Sequence, residues 1–501
     1  MTNSYSLDIL RRKFLYYQFF FIAFAFIVFY AFQLKDSAEF LLLLSIWNCT
    51  SYSYLFYTEV KYSPNFHPFI IFPLIVIQYI GINGISLYPN LVADIPIYFG
   101  IYKVNSYVTQ GVLYLTLEHF LIFLGYFYYD RKIMKISDDY NTEYFGIVNK
   151  SLPYLKWSII TYIAVWAIRI LSVILPLSSI SSIFVLFQTQ GQLISLTLLV
   201  ILILYDDNNH FATRLFWLIT GIEIIYVLGG GMKEGILQNI LPYIIYLVVS
   251  YKNGKMPMNA RFLLKLALLF VFIIYVVFPY INIFREIADR KRISWDEVTV
   301  EETISEYIDY ITNEDIYSEE HSGSDKGLEY ALSRAGSIVC NSWSINYAQE
   351  HGLQPKYFYY CASAIVPRIL WPGKPPVVIG GMMYKLATGH DDWETSGTKS
   401  RTAVTIGFIG GCYFSFGIIG ALFFPFIAGL FTCWFWHFLR RKIYYNPVAI
   451  WAFYTIIKTV FKDYENFTDG GFVFFVWSIA YVIIIKYITP FNNYKIVHDE
   501  K

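Results

Sequence analysis

The chain has 501 residues, with 38 basic and 37 acidic side chains and a formal net charge of +1 at pH 7. Apolar residues make up 56% and charged residues 15%, against about 45–50% and about 25% in soluble domains, so the balance argues against a soluble enzyme and for an all-α polytopic membrane protein. No nucleic-acid partner is expected, because that needs a basic stripe able to neutralise phosphates.

A helix that crosses a bilayer needs about 20 mostly apolar residues, and about twelve such stretches are expected. The first runs from about Phe14 to Phe32, behind Arg11, Arg12 and Lys13. It is too long for a cleavable signal peptide and lacks the small-residue cleavage site. The next three cover Ala38 to Thr58, Pro68 to Leu87 and Tyr107 to Tyr129, the last ending at Asp130-Arg131-Lys132. The fifth to seventh are Trp157 to Pro176, Gly191 to Tyr205 and Phe211 to Leu228. A Gly229-to-Gly235 turn leads to the eighth, Ile236 to Tyr251, and the ninth is Phe262 to Ile281. The last three lie within Cys412 to Phe438, Pro447 to Val460 and Gly471 to Ile485. Residues 1–281 thus form one membrane block, 282–401 one large external insert, and 402–501 a second membrane block. No repeat of 20–50 residues is visible, which lowers the expectation of a transporter built from similar halves.

Strict alternation from an inner N-terminus puts Arg131, Lys132, Lys135, Lys150 and Lys156 inside. Lys252, Lys255, Arg261 and Lys265 fall on the same side, as do Arg440, Arg441 and Lys442. All the strong basic clusters therefore share one side, as the positive-inside rule requires. The same count places the insert and the Gly229–Gly235 turn outside.

The insert has three parts. The first, Trp295 to about Glu320, is acidic, with Ile304, Tyr307, Ile308 and Ile311 at helical spacing. An amphipathic helix with a solvated acidic face fits this pattern. The second, Gly327 to Glu350, spaces Leu328, Ala331, Leu332, Ala335, Ile338 and Val339 along one stripe, with Gly352 as its stop. It reads as a helix packed on the membrane domain, presenting Arg334 or His351 at its edge. The third carries Pro367-Arg368-Ile369-Leu370-Trp371-Pro372-Gly373-Lys374-Pro375. Its prolines preclude continuous helix and stiffen the backbone. Such a loop holds Arg368 and Lys374 in place; a guanidinium offers a planar fork to phosphate oxygens, and Lys adds a compact charge. Trp371 between them offers a stacking face. The alternative is a stiff turn whose cations face lipid headgroups. Cys340 and Cys361, the two insert cysteines, are either a disulfide or two free thiols.

Charges within the spans need partners or a cavity, since each costs about 2.5–3.5 kcal/mol at mid-membrane. Glu118 with His119 lies midway along the fourth span and Arg169 midway along the fifth, so a Glu118–Arg169 pair is geometrically possible. Glu223 and Lys458 raise the same question. Lys233 stands in the glycine-rich turn, at the start of a helix whose N–H groups favour anions.

Three features together resemble the O-antigen polymerases (Wzy-type) and related oligosaccharide repeat unit polymerases. They are the glycine-rich turn with its basic residue, the large outer insert, and the Pro-Arg-Ile-Leu-Trp-Pro-Gly-Lys-Pro element followed by the glycine-rich Thr402-to-Gly420 run. The resemblance covers about the C-terminal half; Lys233 stands where relatives often have Arg. It implies a multi-pass glycosyltransferase of the bacterial plasma (inner) membrane, serving lipopolysaccharide, capsular or exopolysaccharide synthesis in the cell envelope. Its donor and acceptor would be polyprenyl-diphosphate-linked glycans, its neighbours membrane lipids and possible chain-length regulator and flippase partners, and it would need no metal or other cofactor. Cations must then hold the departing diphosphate, and a base must take the proton of the attacking hydroxyl. Candidates for the first task are Lys233, Arg285, Arg334, Arg368, Lys374 and Arg401, with Trp371 on the sugar; for the second they are Glu286, His351, His390 and Asp391. A flippase or other transporter is a competing reading, and an O-antigen ligase shares the same scaffold.

Overall fold

The computed structural model describes residues 2–63, 67–99, 101–136, 154–174, 182–205, 209–229, 300–312, 336–366, 379–387, 406–440, 447–461 and 474–488. It also describes single positions at 239, 242, 280, 283, 287, 371, 373, 389 and 442. Almost all of these are helical. Among the described residues, six helices are long and apolar enough to cross a membrane: Leu7–Ala31, Pro68–Val92, Asn105–Lys132, Tyr154–Leu171, His210–Val227 and Phe408–Leu439. The eighth and ninth expected spans lie outside the described residues, single positions apart.

In chain order the helices begin with α1 (Thr2–Ala31) and α2 (Ala38–Tyr62), the latter opened by Ser37, whose Oγ accepts from the Phe40 N–H at 3.1 Å. Next is α3 (Pro68–Val92), which includes a π-helical turn at Ile77–Ile82. A two-stranded hairpin follows, with Tyr98 opposite Lys103 and Phe99 opposite Tyr102. Then come α4 (Val108–Ile136), α5 (Tyr154–Ile174), α6 (Ser182–Tyr205), α7 (His210–Gly229) and α8 (Val300–Thr312). The chain continues with α9 (Gly336–His351), α10 (Pro355–Ile365), α11 (Ile379–Ala387) and α12 (Phe408–Leu439). The last two are α13 (Pro447–Phe461) and α14 (Phe474–Ile483).

The chain forms two compact units. One comprises residues 1–142, 332–441 and 455–492, the other 143–331, 442–454 and 493–501. In the first, α4 is the central helix, packed against α1, α2, α9 and α12. Its closest neighbour is α12, and glycine explains why. A side chain at Gly125 would meet the Phe426 carbonyl, and one at Gly429 the Ile122 carbonyl, so only hydrogen lets the backbones approach this far. Gly81 and Gly84 of α3 open the same close approach to Cys49 and Ser45 of α2. In apolar surroundings such contact replaces the hydrophobic drive that lipid cannot supply.

Gly429→Ala is therefore expected to lower the yield of folded protein and its thermal midpoint, at a cost of about 1–3 kcal/mol of overpacking. Gly221→Ala, in α7 with open space around it, should be neutral or slightly stabilising. Equal thermal midpoints for the two variants would rule out tight α4–α12 packing.

In the second unit α6 packs against both α5 and α7, and Ser158 joins Ser195 through hydroxyls 2.8 Å apart. The expected amphipathic helix is present as α8, but its faces differ from expectation. Ile304 and Ile308 are 44% and 52% exposed, whereas Thr303 is buried and Glu302 and Glu306 are half-buried. Exposure is therefore shared between Glu301 and the apolar Ile304 and Ile308 rather than confined to the acidic side.

Candidate functional site

Helices α4 and α12 run parallel. Tyr114 meets Tyr413 near their N-termini, and Asp130 meets His437 near their C-termini. The first unit thus has two distinct ends, each with a polar constellation.

The C-terminal end holds a buried charge network. Arg11 of α1 clamps Glu59 of α2 with Nε and Nη2, at 2.6 and 2.8 Å, and reaches Asp130 of α4 with Nη1 at 2.8 Å. Its guanidinium also lies 4.5 Å from the Phe127 ring centroid. His67, just before α3, places Nε2 3.1 Å from Glu59, and His437 of α12 donates to the other Asp130 oxygen at 2.8 Å. Burial lowers the His67 imidazole below its ordinary value by more than Glu59 raises it. The neutral ring is therefore favoured, with its Nε2–H donating to Glu59. The network ties five segments together at one level. Arg suits it because its fork serves two carboxylates at once.

Asp130, Cys433 and His437 also bring three metal-type donor atoms within 4.8 Å of one another, with Cys433 and His437 one helical turn apart. Both Asp130 oxygens are already engaged, one by the Arg11 cation. A metal would have to displace these bonds beside a fixed positive charge, so the residues fit an ion-pair network better than a metal centre.

At the opposite end α9 is driven into the bundle. Asn341, Ser342, Ser344 and Asn346 are buried along with Ile338 and Trp343. Gly111 on α4 leaves room for Ser342. Helix α12 starts at Gly407, which has no side chain to cap it. Asn341 does so instead: its Oδ1 accepts from the Gly410 N–H at 2.7 Å. A few residues on, Gly417 takes φ 64° and breaks α12. The break frees the Phe414 carbonyl, which then accepts from the Gln354 N–H at 2.7 Å. Gln354 is held there by Gly352, left-handed at φ 87° as expected for a helix stop, and by Pro355 opening α10.

This arrangement puts His351 at the exposed end of α9. Its ring stacks on Tyr347 with centroids 4.2 Å apart, and Tyr347 continues through Trp343 to Tyr102 of the hairpin. The His351 Nδ1 donates to the Tyr347 carbonyl at 3.2 Å. In the neutral ring the lone pair is then on Nε2, the tautomer a general base requires. Trp371 is half-buried and meets Tyr359 of α10 edge-on at 6.2 Å. Of the sequence-predicted site residues, His351 and Trp371 are thus both placed. Lys233, Arg285, Glu286, Arg334, Arg368, Lys374, His390, Asp391 and Arg401 lie outside the described residues. Cys340 and Cys361 are free thiols, which removes the disulfide alternative, and burial pushes the Cys340 thiol up to about 12.

The geometrically possible Glu118–Arg169 pair is not the one formed. Arg169 bonds Glu223 of α7 through both Nη atoms at 2.8 Å, and its guanidinium lies 4.1 Å from the Tyr226 ring centroid. Glu118 is buried in α4 beside His119, whose Nδ1 donates to the Leu115 carbonyl.

Sequence reasoning missed the Arg11 network. Arg11 reads as part of a topological Arg-Arg-Lys flank, and Asp130 as part of the Asp-Arg-Lys end of a span. The available signal was that Glu59 and Asp130 are carboxylates at helix ends on the basic side of the alternation.

Residues 65–439 match the family described as Domain of unknown function (DUF8712), about three quarters of the chain, and the protein belongs to that family. No curated protein and no solved structure matches the chain.

Proposed function

We propose that the chain is a membrane glycosyltransferase of about twelve spans that polymerises polyprenyl-diphosphate-linked repeat units on the outer side of the bacterial plasma membrane. The observation that carries this reading is His351. It stands exposed at the end of an insert helix that is buried in the bundle, with its Nε2 lone pair available. It also lies at the end of α4 and α12 opposite the Arg11 network, as the one-sided basic clusters require of an outward site. The half-buried rings of Trp371 and Tyr347 add stacking surface of the kind sugars use.

In this reaction the acceptor hydroxyl oxygen attacks the anomeric carbon of the donor chain. His351 takes the hydroxyl proton as the new C–O bond forms. The bond from that carbon to the lipid diphosphate breaks, and the diphosphate leaves with the electron pair. Arg368 and Lys374 of the Pro-stiffened element, with Arg334 and Arg401 as further cations, would neutralise it.

The test is the lipid-linked glycan of a strain lacking this chain. Single repeats on lipid, facing outward, are the expected result. Full polymer retained on lipid would instead mean a ligase, and single repeats confined to the inner leaflet a flippase; either outcome overturns the proposal.

A further inference from the structure

Between α1 and α4, at the end that carries the Arg11 network, lies a cavity of about 140 Å³. Leu15, Leu124 and Phe127 form its apolar wall, and Asp8, Arg12 and Arg131 stand around its mouth. The cavity sits where the apolar part of α1 begins, at Leu7, and where that of α4 ends, at Lys132. Its mouth is therefore level with the membrane boundary, and exposed Tyr16, Tyr17 and Tyr128 form the aromatic surface usual at that depth.

Three guanidiniums line the cavity, and that of Arg11 is engaged by Glu59 and Asp130. Arg12 bonds Asp8, and Arg131 reaches the same carboxylate only at 3.9 Å. One carboxylate thus faces two guanidiniums, whose side chains stay 53% and 43% exposed. The Nε of Arg131 is itself buried and has no hydrogen-bond partner. A buried N–H without an acceptor is costly; the carboxylate of Asp8 lies 3.9 Å from this Nε, beyond hydrogen-bond reach, and the cavity beside it is lined by Arg11, Arg12 and Arg131 over an apolar floor. An anion with an apolar tail would meet all three conditions.

We propose that this cavity binds the phosphate of an anionic phospholipid from the surrounding leaflet. Arg12 and Arg131 hold the phosphate oxygens, the Arg131 Nε–H finding its acceptor there, and the Leu15–Leu124–Phe127 wall receives the glycerol and the first acyl methylenes. Asp8 competes with the lipid for both guanidiniums and so limits its affinity. The inference is independent of the glycosyltransferase proposal, since it concerns lipid retention and not turnover.

Native mass spectrometry of the detergent-purified full chain tests it, titrating phosphatidylglycerol, phosphatidylcholine or inorganic phosphate. Wild type should retain one phosphatidylglycerol more tightly than any phosphatidylcholine. Arg131→Gln and Arg12→Gln should each weaken that adduct roughly tenfold, the equivalent of one charge-assisted contact. Asp8→Asn should strengthen it, a gain of function that a misfolded protein would not show. Equal retention of the two lipids, an Asp8→Asn variant that binds no better, or displacement of the lipid by millimolar inorganic phosphate would each overturn the proposal.

Discussion

Arg11→Ala is expected to deplete the membrane of folded protein. Glu59 and Asp130 are both buried, and the substitution leaves two carboxylates facing each other without the cation that joins them. Breaking a buried ion pair by removing one partner costs about 3–5 kcal/mol, a large part of the ~5–15 kcal/mol that holds a typical fold together. Arg11→Lys should fall between wild type and alanine, because one ammonium cannot span the positions of Nε, Nη1 and Nη2. Adding Glu59→Gln to Arg11→Ala should recover part of the loss, since a neutral amide needs no counter-charge. The readout is the monodisperse fraction after detergent extraction, with its thermal midpoint. A double variant no better than the additive sum would show that the two residues do not depend on each other.

The second large effect is expected in turnover rather than in stability. If His351 is the base, His351→Ala should lower polymerisation by roughly 10²–10⁴-fold while the amount of protein in the membrane stays constant. Stability should survive because the ring is exposed and leans on Tyr347 from outside the core. Arg368→Ala should cost roughly 100- to 1,000-fold by removing a preorganised donor from the diphosphate, and Arg368→Lys less, since it keeps charge without the fork. In each case single lipid-linked repeats should accumulate. Normal chain lengths from a well-expressed His351→Ala variant would remove the base assigned here and return this end of the bundle to a purely structural role.

Much of the helical framework was legible from the residues alone, because apolar run length and stop signals are local properties. Expected and observed ends agree within a few residues for Ala38–Tyr62, His210–Gly229 and Pro447–Phe461. Gly352 ends α9 for the reason any left-handed glycine ends a helix. The candidate site was legible only in part: His351 at the edge of its helix was expected, while the Asn341 cap and the Gly417 break that hold it there were not. A cap donated by another helix leaves no mark at the N-cap position itself.

Tertiary structure alone decided which charges meet. Glu118, Arg169 and Glu223 lie 13–15 residues from those ends of their helical spans that the alternation assigns to the inner side, about 20–22 Å of rise. Depth therefore cannot choose between Glu118 and Glu223 as the partner of Arg169. The choice follows from neighbour order and helix rotation, and neither is written in the spacing of one segment. The same holds for Arg11, whose role depends on carboxylates 48 and 119 residues away. It holds also for α8, where the apolar period foretold a helix but not which face would be covered. Length and period are set residue by residue along the chain, whereas facing partners are set by how separate helices pack.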